Sequence, residues 1–371
     1  MPKIPRKKLR GAAEELLVGL DGGASEVKAH EVRPAEQAGG IRLELGLANA
    51  SLIYERVRGF RPIQMKTQLA EREQPRPTPT ESRQAAAWID ACLRAIQLVA
   101  EDAGKRRLRV GICMPGIKSA DGRGIVVMRN GPRIPDFLDA IERGLTERGL
   151  ELVAPIPALI SDGEACGRGE LLAVDGQLAD TANAYYIGGG TGIAECFQLD
   201  GRIVSIDALG LPKAWQLEFV PGISCEDQLS ARGINASYAQ RTNRALPLEE
   251  GAYPEQRALE GDPDAEHVLA TAAVALAQLC WLRIAALAPR TMLERIVIGQ
   301  RLGLLMSHPD LAPFLKTPAE RTLTRLVEEQ ADPSWAGHYV SGASLRPDLL
   351  VASTLRVAPA LGAAAHALEH R

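Results

Sequence analysis

The chain has no Cys-x-x-Cys pair, no dense cysteine framework and no cluster of histidines. Its six cysteines (Cys92, Cys113, Cys166, Cys196, Cys225 and Cys280) stand singly, and its six histidines are equally dispersed. This pattern excludes a disulfide-stapled secreted scaffold and a sequence-local zinc site, and it predicts reduced thiols in the cytoplasm. An excess of one charge is missing too. With 43 Lys and Arg against 46 Asp and Glu the formal charge is −3, which gives no general attraction to nucleic acid or to an anionic membrane. Residues 1–15 are a basic leader, expected to be disordered; no apolar stretch follows it, so neither a signal peptide nor a membrane anchor is predicted. No repeat of fixed short period is present. What the chain does have is length: 371 residues suffice for two lobes, each burying its own core.

Its most informative segment is Tyr185-Tyr186-Ile187-Gly188-Gly189-Gly190-Thr191-Gly192-Ile193, which reads as strand, glycine turn, strand. Glycines without Cβ let successive backbone N–H groups close around an anion, and a Thr hydroxyl adds a donor, so the turn is a phosphate cradle in type. The bland alternative is a hairpin bend at a sheet edge. A second such turn, Asp21-Gly22-Gly23-Ala24-Ser25, ends the apolar run Leu16–Leu20. Two phosphate-style turns predict a nucleotide-binding enzyme.

Between and after these turns, strands and helices alternate, which predicts an α/β protein. Residues 16–29 and 41–70 read as strands and turns, and a Pro-rich connector over 74–80 precedes a helix over 81–103 with apolar residues at helical spacing. Leu108 to Met114 reads as a strand stopped by Pro115-Gly116. Ala158 to Ile160 reads as a strand ending in Ser161-Asp162-Gly163-Glu164, followed by a helix of small residues. Residues 264–288 have helical periodicity, Arg295 to Gly299 is a buried strand running into a turn, and Pro359 to Leu368 is a terminal Ala-rich helix.

Taken in order, these segments resemble the ROK family of sugar kinases, in the actin-like ATPase superfamily, over roughly residues 16–370. Asp21-Gly22-Gly23 is similar to the family's first phosphate motif, Gly111 to Gly116 to its strand and Pro-Gly turn, and Asn130 to its sugar-contacting Asn. Ser161-Asp162-Gly163-Glu164 resembles the Asn-Asp-x-Asn segment that holds the catalytic Asp. Gly190-Thr191-Gly192-Ile193 resembles the second phosphate motif, Glu226 with Ser230 the Cys-x-Glu-x-x-x-Ser helix, Ile296 to Gly299 the adenosine motif, and Ala360 to Ala364 the last helix. The resemblance implies a two-lobed actin-like ATPase (ribonuclease H-like) fold with an interlobe cleft. Residues 16–175 with 356–371 would form the small lobe and 176–355 the large one.

The sequence also departs from the family pattern. The family's zinc element needs a His and three Cys just before Glu226, and Gly210 to Ser224 contains none, so no zinc site is expected. Trp215 and Glu218 stand where the family's Gly-Glu-x-Gly-His segment has Glu and His. Ala24 replaces a glycine, Ala194-Glu195 follow the second cradle where glycines are usual, and Gln300-Arg301 follow Gly299.

Phosphoryl transfer to an alcohol needs an aligned hydroxyl, a base for its proton and cations beside the phosphate oxygens. Asp162 is the candidate base, with a helix N-cap as its alternative. Asp21 is the candidate Mg²⁺ ligand through water, or else only a turn former. Gly22, Gly23, Ser25, Gly189, Gly190, Thr191, Gly192 and Gly299 are the candidate nucleotide contacts. Asn130, Asp162, Glu226 and Glu218 are the candidate substrate contacts; Asn130 could equally form a turn, and Glu226 could simply be an acidic residue at a helix start. Trp215 could stack on a ring but reads by default as core, and Arg301 as a solvated helix-start residue. The expected activity is ATP- and Mg²⁺-dependent phosphorylation of a sugar or sugar-like polyol, and a homodimer is what the resemblance implies. Two alternatives stand beside it: a cyclitol or pseudo-sugar kinase, motivated by Trp215, and a non-catalytic sugar sensor, motivated by the altered glycines and Glu195. DNA binding is not expected, because only about fifteen residues precede the first strand and a helix-turn-helix domain needs more.

Overall fold

The structure, a computed structural model, describes residues 15–23, 26–37, 40–288 and 290–370. The leader up to residue 14 and Ala24-Ser25 lie outside the described residues. The main elements in chain order are β1 (Leu16–Gly22), β2 (Glu26–Gln37), β3 (Gly40–Ile53), α1 (Pro79–Asp102), β4 (Arg107–Cys113), β5 (Glu151–Leu152) and α2 (Asp162–Leu172). Then come β6 (Ala184–Gly189), β7 (Ile193–Leu199), β8 (Arg202–Ser205), α3 (Cys225–Leu229), α4 (Pro263–Leu287), β9 (Arg295–Gly299), α5 (Gln300–Ser307), β10 (Leu350–Ala352) and α6 (Ala358–Glu369). Two compact units result: Gly176–Arg356, and the described residues up to Asp175 joined by those from Val357 onward.

In the unit formed by the described residues up to Asp175 and from Val357 onward, the sheet order is β3-β2-β1-β4-β5, antiparallel from β3 to β1 and parallel from β1 to β5. Leu16 to Leu20 are buried without alternation because both sheet faces are covered. The α1 helix covers one face through Ala85, Trp88, Cys92, Ile96 and Val99, which recur at the 3.6-residue period. It starts two residues before the expected position: the Thr78 side chain accepts from Glu81 N at 3.2 Å, Glu81 returns the bond to Thr78 N, and Pro79 takes the first helical position, where a missing N–H costs nothing. Met65–Ala70, expected in strands and turns, is a short helix. Ala158 to Ile160 makes only a single bridge, Ile160 to Cys113, instead of a strand.

Helix α6 covers the other face, and its fit explains several glycines at once. A Cβ on Gly19 would collide with the Ala360 carbonyl, one on Gly111 with that of Ala363, one on Gly169 with that of Ala358, and one on Gly362 with that of Ala165. Their absence lets the α6 backbone lie directly on β1, β4 and α2. Ala358 to Leu368 are all buried as a consequence.

In the unit Gly176–Arg356 the sheet order is β8-β7-β6-β9-β10, and the pattern repeats: the first strand in sequence is central, two antiparallel strands lie on one side and two parallel strands on the other. The turn after β1 and the turn after β6 therefore occupy equivalent places in two copies of one topology, in keeping with a distant duplication. Helix α4 is long and apolar enough to cross a membrane by length and composition, yet 67% of its most apolar window is buried inside the structure. It is the core helix of its unit, packed with Tyr185, Phe197, Ile298 and Leu323 in one apolar cluster.

Candidate functional site

The first group of predicted residues gathers at the carboxyl ends of parallel strands, where open α/β sheets bind ligands. Asp21 lies in β1 opposite Cys113 of β4, and Cys113 in turn bridges to Ile160, directly before Ser161-Asp162. Two ladder spacings, about 10 Å, thus separate the backbones that lead into the two carboxylates. The side chains act on each other. Burial first, and the Asp162 charge second, push the Asp21 carboxyl up to about 6. Burial and then the Asp21 charge hold the Cys113 thiol well above its ordinary value, which keeps it inert.

Asp162 is not the cap of its helix. Ser161 is: its hydroxyl accepts from Glu164 N at 3.1 Å, and the Glu164 carboxylate accepts from Ser161 N at 3.3 Å. Asp162 occupies the first helical position, and its Oδ1 accepts from Gly163 N at 3.0 Å. The signal was in the sequence, since Ser161-x-x-Glu164 is a capping box.

Gly22 and Gly23 are required by close packing. A Cβ on Gly22 would collide with the Met114 sulfur, and one on Gly23 would stand 2.7 Å from the Glu26 carbonyl oxygen. Ser25, the remaining predicted contact of this turn, lies outside the described residues. Asn130 is exposed in a bend whose flanks are fixed by residues that sequence reading missed. Gln68 on one side is fully buried, giving its amide to Met128 O at 2.9 Å and accepting from Met128 N at 2.7 Å. On the other side Arg133 is buried and donates to both Glu81 oxygens, at 3.0 and 2.9 Å, and to Glu71 at 2.5 Å.

The second group lies in the other unit. The turn Gly190–Gly192 is the bend of the antiparallel hairpin β6–β7, as its alternative reading held, although neither strand is an edge strand of the sheet. Gly190 N donates to Gly192 O at 2.9 Å, Ala231 N donates to Gly190 O at 2.8 Å, and space around the Gly190 α-carbon is open. A Cβ on Gly189 would press on Leu302 at 2.7 Å, and Thr191 is exposed at the tip. Glu226 is the second residue of α3 and is buried, and its Oε2 accepts from Ile193 N at 3.1 Å. It supports the turn directly, a partner that neither alternative for it had named. Gly299 packs against Tyr186 with no room for a Cβ, and it leads into α5, whose first amides have no side-chain cap. Gln300, which follows Gly299, holds a left-handed backbone with φ 58°, a region that favours glycine.

Glu218 stands on an exposed two-stranded hairpin, and its Oε2 accepts from Gly222 N at 2.9 Å. Ser224, the position of the family's last zinc cysteine, caps α3 instead. Trp215 is half-buried in a short 3₁₀ turn and is not among the residues of the core, against its default reading. Arg301 stands at the helix start, as read, but is only partly solvated: it pairs with Glu255 and lies 5.5 Å over the Tyr253 ring. Glu195 turns away from the cradle into the core, paired with Arg283 at 2.7 Å. Among the described residues no three His, Cys, Asp or Glu side chains converge as a metal cage. A Mg²⁺ that keeps most of its waters needs only one or two carboxylates, and the mutually repelling Asp21–Asp162 pair fits such a cation.

No protein-family model and no curated protein sequence matches the chain. Solved structures do. A ROK family glucokinase from Streptomyces griseus, in complex with glucose and AMPPNP, superposes with a TM-score of 0.64 at 17% identity, covering 95% of this chain and 99% of that one. The ROK hexokinase from Thermus thermophilus gives 0.56 at 20% identity over 94% and 96%. A ROK family transcriptional regulator, a homologue of the E. coli MLC protein, gives 0.59 at 15% identity over 96% of this chain and 78% of that one. The chain therefore has the fold of the ROK sugar kinases. Identities this low establish the fold alone, and the fold is shared by enzymes and a regulator.

Proposed function

We propose that the protein is an ATP-dependent kinase that phosphorylates a hydroxyl of a sugar or sugar-like polyol. The observation that carries this reading is the Asp21–Asp162 pair: one carboxylate near the end of β1 and one at the start of α2 in the same unit, close enough for the charge of Asp162 to raise the pKa of Asp21, with the capping task taken over by Ser161. A structural helix start needs no second acid beside it. In the reaction, Asp162 would accept the proton of the attacking hydroxyl as its oxygen bonds the γ-phosphorus and the bond to the ADP oxygen breaks. Asp21 would hold Mg²⁺ through water; the cation supplies charge neutralisation to the phosphate oxygens. Gly22, Gly23 and the turn Gly189–Gly192 would contact the phosphates, Gly299 and the uncapped start of α5 the nucleotide, and Asn130 the acceptor. Support comes also from the complex of the Streptomyces relative with glucose and AMPPNP. The sensor alternative loses one of its two motives, since Glu195 faces Arg283 instead of the phosphate turn; the altered glycines remain, and a regulator shares the fold.

The test couples ADP release to an optical readout and screens monosaccharides, amino sugars and cyclitols with and without Mg²⁺. Acceptor- and Mg²⁺-dependent ADP release is the expected result. No release on any acceptor, together with no ATP binding by calorimetry, overturns the proposal.

A further inference from the structure

We propose that the groove between the free edge of β10 and the helix Lys316–Gln330 takes an acidic, extended segment of a partner polypeptide, which adds to the sheet as a further strand. The groove lies wholly in the unit Gly176–Arg356, and its role is independent of turnover. β10 is the last strand of its sheet and pairs with β9 in parallel, Val351 beside Val297. Ile296 N donates to Leu349 O at 2.6 Å, and Ser353 N donates to Ile298 O at 2.7 Å. Alternate residues of a parallel strand bond the same neighbour, so Leu349, Val351 and Ser353 serve β9, while Leu350 and Ala352 turn N–H and C=O to the other side. No described strand pairs with them there.

The helix Lys316–Gln330 forms the opposite wall. Ala319, Leu323 and Val327 recur every fourth residue and are buried in the apolar cluster of the unit, which leaves Lys316, Arg321, Arg325 and Glu328 along the opening. With residues 343–348 and 350–352 they line a groove of about 590 Å³. Lys316 lies 3.9 Å from Glu320, but Arg321 and Arg325 are exposed and have no carboxylate partner among the described residues. One helical turn apart, they repel each other at a cost to the helix, and an occupant bearing carboxylates would relieve it. Arg346, a fourth cation of the lining, gives Nη2 to Glu294 O and leaves Nε buried without a partner. With Glu320, Glu328 and Asp348 as its carboxylates, the lining stays net positive. Spacing favours a strand over a small anion. Cβ atoms at i and i+4 of a helix stand about 6 Å apart, and every second side chain of an extended chain recurs after about 6.6 Å. Carboxylates at alternate positions of one segment thus match Arg321 and Arg325 together, while its main chain can bond Leu350 and Ala352. A short edge strand is ordinarily left to water; the two unpaired cations across from this one give it a partner of defined charge.

The test uses the full chain and two fluorescent probes, the peptide acetyl-Glu-Val-Glu-Thr-Glu-Thr-amide and its counterpart with Lys at every Glu. By anisotropy the acidic probe should bind with a Kd on the order of 10–100 μM, at least about tenfold more tightly than the basic one. In the complex, exchange of the Leu350 and Ala352 amides should slow by about tenfold or more, with Val351 unchanged. Arg321→Glu/Arg325→Glu should weaken the acidic probe by about tenfold or more, and Arg321→Ala/Arg325→Ala decides the matter if charge reversal disturbs the fold. An acidic probe N-methylated at alternate residues, which lacks the donors a strand needs, should not bind. No binding of the acidic probe overturns the proposal, and so does equal binding of the basic one. Binding that survives N-methylation, or leaves Leu350 and Ala352 unprotected, overturns the added strand. Protection of those two amides that grows with protein concentration in the absence of probe gives the groove to a second copy of this chain and overturns the partner named here.

Discussion

The charge of Asp162 helps to hold the carboxyl of Asp21 up at about 6, although 141 positions separate the two in the chain. Strand order produces the relationship: β1 lies beside β4, and the end of β4 bridges to Ile160. The Asp21 carboxyl therefore reports the charge of Asp162.

Stability should depend on pH through Asp21 with an unusual sign. Its folded pKa, about 6, lies above the ordinary 3.8, so the folded state holds the proton more tightly. The associated stability is complete below the ordinary value and is lost as pH rises through about 6. A shift of about two pKa units corresponds to roughly 3 kcal/mol, an upper figure because Asp21 keeps some contact with solvent. The variant Asp21→Asn should gain on the parent between pH 4 and 6.5, by about 1–3 kcal/mol, and Mg²⁺ should shrink the gain by favouring the charged carboxylate. Urea denaturation of both proteins across that range is the measurement; a constant difference would refute the coupling.

Asp162→Asn should lower kcat by on the order of 10² to 10⁴, the range for a positioned general base, while ATP affinity by calorimetry stays nearly unchanged. The same variant should bring the Asp21 carboxyl down from about 6, by removing the second-largest cause of its elevation. Carboxyl carbon NMR titration reads this without turnover, so the electrostatic and the catalytic claims can fail separately.

Gln300 holds a left-handed conformation at the junction of β9 and α5. Gln300→Gly should stabilise the protein by about 1 kcal/mol, because glycine adopts this region without Cβ strain. A drop in the thermal midpoint would show that the Gln300 side chain contributes more than its backbone costs.

Gly362 and Gly337 are both helical glycines, yet alanine should act in opposite directions at the two. At Gly362 a Cβ would collide with the Ala165 carbonyl, and Gly362→Ala should cost about 1–3 kcal/mol or prevent folding. At Gly337, in the helix Pro333–Tyr339, a Cβ meets nothing within 4 Å. There Gly337→Ala should gain about 0.5–1 kcal/mol from helix propensity. Paired thermal denaturation curves test the contrast.

The sequence by itself determined what depends on neighbours along the chain. Apolar runs ended by Asp-Gly or Gly-Gly marked β1 and β6, helical spacing marked α1 and α4, and Ser161-x-x-Glu164 already contained its own cap, since hydrogen bonds over three or four residues and alternation of side chains are local. The tertiary structure alone decided what depends on strand order and on close approach between distant segments. Glu195, next to a glycine turn in sequence, became the partner of Arg283, 88 residues away. Glu226 became the support of Ile193 N, and Gly19 and Gly111 were needed because a helix from the far end of the chain lies on their strands. A buried charge takes whatever partner the packing brings within hydrogen-bond reach, and no spacing in the sequence encodes which partner that will be.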